Sequence, residues 1–255
     1  MALRLSPLAL VLALTVPAAA QSADEVFREV DRRQRAVEQQ RAEVRMEIED
    51  ERGRTRTREM LLLSKQGDDD RGRALVVFTA PADIRGTGLL TVETDRGDEQ
   101  QLYLPAMRRV QRIAGAGRQE RFAGSDFTYE DLSTRDPDDY TSRMASTTDD
   151  AFILEAVPKP GVESAYGRIL LGIDRERYTI LRADYFDEGG RMVKRLRASD
   201  FSEVVPGTWQ PGRLVMEDLE EGRRTVLTFV DRDSDALLRD DLFTERQLQR
   251  GAAGL

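Results

Sequence analysis

The side chains best placed to do chemistry in this sequence are acids and arginines, because two other kinds are missing. The 255 residues contain no histidine and no cysteine. That removes the usual general base, the commonest metal ligand, thiol nucleophiles and the ordinary zinc sites. A Ser-His-Asp triad cannot be assembled, and neither G-x-S-x-G nor G-x-x-x-x-G-K-[ST] occurs. Gly115-Ala116-Gly117 begins like a dinucleotide loop, but Glu120 stands where the third glycine belongs. Asp231, Asp233 and Asp235 resemble the first half of a calcium loop. Ala236 replaces its glycine and Leu242 its bidentate glutamate, which makes a solvated turn the better reading. Asp126, Glu130 and Asp131 are close enough to supply a carboxylate pair for glycoside hydrolysis, although acids are so abundant here that such neighbours arise easily.

The basic residues are more concentrated. Arg108, Arg109, Arg112, Arg118 and Arg121 fall within fourteen residues of a chain whose net charge is −8. Guanidinium groups grip phosphates and carboxylates in a bidentate way, so one reading is contact with lipid headgroups or an acidic partner. The other is a solvated edge strand whose charges discourage aggregation. The acidic balance argues against general nucleic-acid binding. Phe122, Phe127 and Tyr129 flank Gly124-Ser125-Asp126. On residue chemistry this is a core corner, with Asp126 bonding local backbone N–H groups. The alternative is an aromatic rim beside a hydrophobic cavity.

Residues 1–20 read as a cleavable leader. One positive charge precedes the apolar run Leu8–Val16, which is far shorter than the ~20 residues of a spanning helix. Ala18-Ala19-Ala20 supplies the small residues of a processing site. The expectation is export to the periplasm, cleavage after about Ala20, a single domain over 21–255, and no transmembrane segment in the mature chain.

The elements that must position these residues are mostly strands. Ser22-Ala23-Asp24-Glu25 has capping-box spacing, and Val26, Val30 and Val37 predict a helix to about Arg41. Val44, Met46 and Ile48 then alternate with charged residues, predicting a half-buried strand. Arg52-Gly53 turns the chain into a second strand that ends apolar at Met60–Leu63. Further strands are expected at 74–78, 88–94, 100–104, 110–114, 140–145, 152–157, 169–173, 178–186, 192–201, 213–219 and 225–230. Short helical turns are expected at 126–132 and 242–248, and Pro206-Gly207 and Pro211-Gly212 frame Trp209, the single tryptophan. The class is mainly β: roughly eleven strands in one strongly curved, incomplete antiparallel barrel.

Three blocks narrow this further. Pro81-Ala82-Asp83-Ile84-Arg85-Gly86-Thr87-Gly88-Leu89-Leu90, then Leu102-Tyr103-Leu104-Pro105-Ala106, then Gly124-Ser125-Asp126-Phe127-Thr128-Tyr129-Glu130-Asp131-Leu132 resemble the outer-membrane lipoprotein-sorting family, related to the periplasmic carrier LolA and its receptor LolB. The resemblance extends from Ser22 to about Leu248. It implies a half-open antiparallel sheet wrapped around an N-terminal helix and short additional helices, enclosing an apolar cavity that shields acyl chains. Some members of this branch work beside RND-type transporters. Leu89, Leu90, Leu102, Tyr103, Leu104, Phe122, Phe127, Tyr129 and Trp209 are assigned to the cavity or its rim. Arg85, Arg108, Arg109 and Arg112 are assigned to headgroup or partner contact. Narrow-sense lipoprotein carriers place an arginine inside the cavity; Arg85 is the candidate by its place in the motif, and the cargo stays open. The N-terminal helix or the Arg85–Gly88 loop would act as a lid.

The expected function is therefore a periplasmic carrier or chaperone for the acyl chains of lipids or lipoproteins, moving them toward an outer-membrane acceptor. It uses no catalytic residue, cofactor or metal. An accessory protein docking on an RND-type transporter is the alternative, and a carboxylate-based carbohydrate-active enzyme ranks last.

Overall fold

A computed structural model describes residues 21–69, 71–253 and 255; the expected leader lies outside the described residues. Ser22 opens the fold as the sequence predicts. Its hydroxyl accepts from the Glu25 N–H (3.2 Å), and the Glu25 carboxylate accepts from the Ser22 N–H (2.8 Å). Helix α1 (Ala23–Arg35) follows and buries Val26, Phe27 and Val30. It stops six residues short of the expected end. Gln40 and Ala42 already carry the two-residue burial rhythm of strand β1 (Gln39–Glu49). That segment pairs on both sides, which satisfies more backbone groups than another helical turn would.

The remaining strands are β2 (Thr55–Gln66), β3 (Gly72–Ala80), β4 (Gly88–Thr94), β5 (Gly97–Leu104), β6 (Arg109–Ile113), β7 (Tyr140–Thr147), β8 (Ala151–Pro158), β9 (Arg168–Asp174), β10 (Ile180–Phe186), β11 (Met192–Val205), β12 (Thr208–Asp218) and β13 (Arg223–Asp233). They form one antiparallel sheet of 13 strands that does not close into a barrel. The overall figure of roughly eleven strands is low by two, although each of the thirteen stretches expected individually falls on a strand. The charged stretch 109–113 pairs fully as an edge strand. Trp209 and Pro211, expected among turns, lie inside β12. Pro211 is tolerated because β12 has no β13 partner before Arg213, so this part is locally an edge.

The order is β6-β5-β4-β3-β2-β1-β13-β12-β11-β10-β9-β8-β7. Two meanders therefore meet at a central β1–β13 seam, and the edges are β6 and β7, which are consecutive in the chain. The connection between them, residues 114–139, has to cross from one edge of the sheet to the other.

The sheet has two apolar faces. The inner face carries Val44, Met46, Met60, Phe78, Leu154, Leu171 and Met216, packed with α1 and with Phe122, Phe127 and Tyr129 of the crossing segment. Phe27 of α1 meets Tyr140 of β7 with ring centroids 5.9 Å apart. The outer face of β2–β4 carries Leu61, Leu63, Leu75, Val77 and Leu90, covered by Leu242, Phe243 and Leu248 at helix α2 (Glu245–Arg250). Among the described residues no helix is long and apolar enough to cross a membrane.

Candidate functional site

The site is built on the crossing segment. The helical turn expected at 126–132 is confined to its second half, where the Leu132 N–H donates to the Tyr129 carbonyl (3.3 Å) and the Ser133 N–H to the Glu130 carbonyl (3.1 Å); side chains take the bonds before it. The Thr128 N–H donates to Asp131 (2.9 Å) and the Asp131 N–H to the Thr128 hydroxyl (3.2 Å). Phe122 stacks on Phe78 at 5.4 Å and meets Tyr129 edge-on at 5.8 Å. Gln100 of β5 donates to the Tyr129 carbonyl (3.0 Å).

The three carboxylates considered for hydrolysis hold this segment in place. Asp126 is fully buried and bonds β13 rather than local backbone. Its N–H donates to the Thr225 hydroxyl (2.9 Å), which donates back to its carboxylate (2.6 Å), and Arg223 lies 3.3 Å away. Burial pushes the Asp126 carboxyl up, against the Thr225 bond and the Arg223 charge. Glu130 accepts from the Ser164 hydroxyl and from the Ala165 N–H (2.8 Å). Asp131 accepts from the Tyr166 hydroxyl (2.9 Å) and from Lys194 (3.2 Å).

Two cavities flank this plug. One, of about 660 Å³, is lined by Leu102, Leu104, Phe122, Tyr129 and Arg85 from the sequence-assigned set, with Ile84, Met107 and Arg58. Period-two alternation separates the other assigned residues of the same strands. Leu89 is buried in the inner core, whereas Leu90 and Tyr103 face outward with the α2 cluster. Phe127 is buried in the inner core.

The second cavity, of about 390 Å³, opens between the end of α1 and strands β10–β13. It holds Trp209, whose ring lies under the Arg177 guanidinium at 4.4 Å. Leu62, Ile180, Leu196, Leu214 and Phe229 line it, left only partly buried on an otherwise covered face. The sequence reading missed these five, since their alternation is the same as that of core residues.

It also missed Arg135 and Arg232, which reach this cavity. Arg135 donates to the Tyr185 hydroxyl (3.0 Å) and lies over that ring. Arg232 donates to the Pro211 carbonyl (2.9 Å) and covers Phe229 at 4.3 Å. Burial lowers the Arg232 pKa and pushes the Tyr185 hydroxyl up to about 12. Neither arginine forms an ion pair among the described residues.

The cationic run divides. Arg108 and Arg109 are exposed at the start of β6, and Arg112 pairs with Glu99 (2.9 Å). Arg118 and Arg121 turn inward, to Ser133 (3.1 Å) and to Asp218 (2.6 Å). Arg85 is exposed and donates to the Thr79 carbonyl (3.0 Å).

A family model described as an uncharacterized protein matches residues 70–250. A DUF1329 family protein from Desulfovibrio piger is 30% identical, over 89% of this chain and 97% of that one, with a TM-score of 0.83. A domain described as an outer membrane lipoprotein-sorting protein, from Vibrio parahaemolyticus, is 27% identical over 89% and 98%, with a TM-score of 0.82. A LolA superfamily protein from Nitrosomonas europaea shares the fold at a TM-score of 0.71 and 21% identity, over 89% and 100%. No curated protein matches. With a family model spanning most of its length and a relative of 30% identity matched along nearly all of its own chain, the chain belongs to the DUF1329 family.

Proposed function

We propose that this protein is a periplasmic carrier that takes acyl chains of a lipid or lipoprotein into the α1-side cavity and passes them toward the outer membrane. One observation carries the reading: Leu62, Ile180, Leu196, Leu214 and Phe229 leave apolar surface uncovered around a cavity of about 390 Å³. That volume falls in the range of small-ligand sites, and each methylene moved out of water contributes ~0.8 kcal/mol. Arg135 and Arg232 offer guanidinium donors to the ester or acid end of a chain. Helix α1 forms one wall, seated by its buried Val26, Phe27 and Val30 and tied at its end by Arg33 to the Glu176 and Arg177 carbonyls (3.0 Å each). Such a carrier works without a catalytic group, cofactor or metal.

The test is to purify the mature protein from an envelope extract and identify bound lipid by mass spectrometry. Stoichiometric acyl chains, lost in Leu196→Asp, are expected; a wild-type protein that is empty and stays empty when offered lipid overturns the reading. A second reading rests on the β6 edge, where Met107 is 68% exposed beside Arg108 and Arg109. An empty protein that co-purifies with an RND-type transporter, and loses it on replacement of those arginines, would make it an accessory subunit.

A further inference from the structure

Toward the β1–β2 turn the inner face changes from apolar to cationic. Arg56 and Arg58 of β2 stand in register with Ile48 and Met46 of β1, so they share the inner face and lie about 7 Å apart along the strand. They line a polar cup of about 710 Å³. The acids around it are already engaged: Asp50 with Arg54 (2.7 Å), Glu220 with Arg191 (2.6 Å), and Glu221 with Arg121 (2.7 Å). Glu51 lies 3.7 Å from Arg52. Arg223, on the far wall, is committed to Asp126 and to the Gly124 carbonyl.

Arg56 and Arg58 have no carboxylate within ion-pairing distance among the described residues. Arg58 is also partly buried. It donates to the Ala123 carbonyl, its guanidinium lies 5.8 Å from the Phe78 ring centroid, and burial lowers its pKa against the more distant charge of Asp83. An unmatched cation at a buried position is costly without an anion to meet it. Arg58 also lines the neighbouring trough, where Ile84, Leu104 and Met107 stand with Asp83 and Arg85 at its rim, so a charged cup and a partly apolar groove meet at one side chain.

We propose that the cup and trough together bind a single anionic phospholipid, with Arg56 and Arg58 holding its phosphoryl group and an acyl chain lying in the trough. Guanidinium pairs match the several oxygens of a phosphoryl group. Because both arginines are on the inner face, they suit one recessed headgroup better than the flat surface of a bilayer. This site is separate from the α1-side cavity and adds a headgroup preference that the carrier reading does not contain.

The experiment titrates the mature protein by calorimetry with two soluble lipids of equal chain length, dihexanoyl phosphatidic acid and dihexanoyl phosphatidylcholine. The acid is expected to bind about tenfold more tightly. Arg56→Gln should abolish that preference without lowering the melting temperature, since Arg56 is exposed and makes no bond the fold requires. Arg58→Gln, which keeps a donor for Ala123, should do the same. Met107→Ser should weaken both lipids alike. Equal affinity for the two lipids, or a preference unchanged in Arg56→Gln, overturns the proposal. Inorganic phosphate competing as well as the lipid would make the cup a free-anion site and overturn the acyl half. Leu196→Asp, which disables the α1-side cavity, should leave phosphatidic acid binding intact; loss in that variant assigns the lipid to the other cavity and overturns the site proposed here.

Discussion

Lys194 of β11 meets Asp131 of the crossing segment at 3.2 Å, with the Asp131 side chain only 1% exposed. This ion pair ties the plug to the inner face, and the Tyr166 hydroxyl completes it from the loop before β9. Removing one partner of a buried pair costs about 3–5 kcal/mol, because the other charge is left stranded. Asp131→Asn is expected to lose that much in urea-induced unfolding. Adding Lys194→Met should restore a large part of it. A single substitution costing under about 1 kcal/mol would show that the plug is held by packing alone.

Acid should loosen α1. Hydrogen bonds from Arg32, opposed by burial and helped by Arg33, pull the Glu29 carboxyl from 4.5 down to about 2. Its folded pKa lies below its unfolded one, so the stabilisation is fully present above 4.5. It is lost as pH falls through the window down to about 2. Wild type should therefore melt higher than Glu29→Gln at pH 6, and the two curves should converge near pH 2. A gap that does not change with pH would contradict this.

The outer clamp depends on a missing side chain. A Cβ on Gly88 would sit 2.8 Å from Leu248 Cδ1 and 3.2 Å from the Val76 carbonyl oxygen. Gly88→Ala should therefore push α2 off the outer face and destabilise by about 1–3 kcal/mol. Leu248→Ala, emptying the same contact from the other side, should cost about 2–5 kcal/mol. Faster amide exchange confined to α2 and β4 would locate both effects.

Trp209 offers an optical readout, since it is the sole tryptophan and lines the α1-side cavity. Titration with oleate should blue-shift its emission as water leaves the ring. Arg135→Gln should weaken that response several-fold if the guanidinium holds the acid end. An unchanged affinity would leave Arg135 as a support for Tyr185 only.

Much of the fold is legible from alternation and turns. Val44, Met46 and Ile48 announce β1, Gly53 sits at its turn with a left-handed backbone (φ 73°), and the Ser22–Glu25 box marks where α1 begins. What fails is whatever depends on a distant partner. Asp126 looks like a local turn former, yet Thr225 of β13 claims it. Val37 continues the helical spacing, but pairing of β1 with two strands ends the helix first. The candidate site divides in the same way. The motif blocks bring Leu102, Leu104, Phe122 and Tyr129 to one cavity, because they are near each other in sequence. Leu62, Leu196, Leu214 and Phe229 come from four separate strands, and only their incomplete burial distinguishes them from the core.

The central seam has a consequence for how the chain is made. β1 is the first strand and β13 the last, yet Val44 lies opposite Phe229 and Met46 opposite Leu227. Each meander grows by neighbouring hairpins and needs only nearby sequence. The seam has to wait for the last strand, and such non-local pairing is slow. Until then β1 exposes a long unpaired edge, open to a second nascent copy. A chain cut before Arg223 would therefore be prone to self-association through β1, even with the whole first meander and its helix in place.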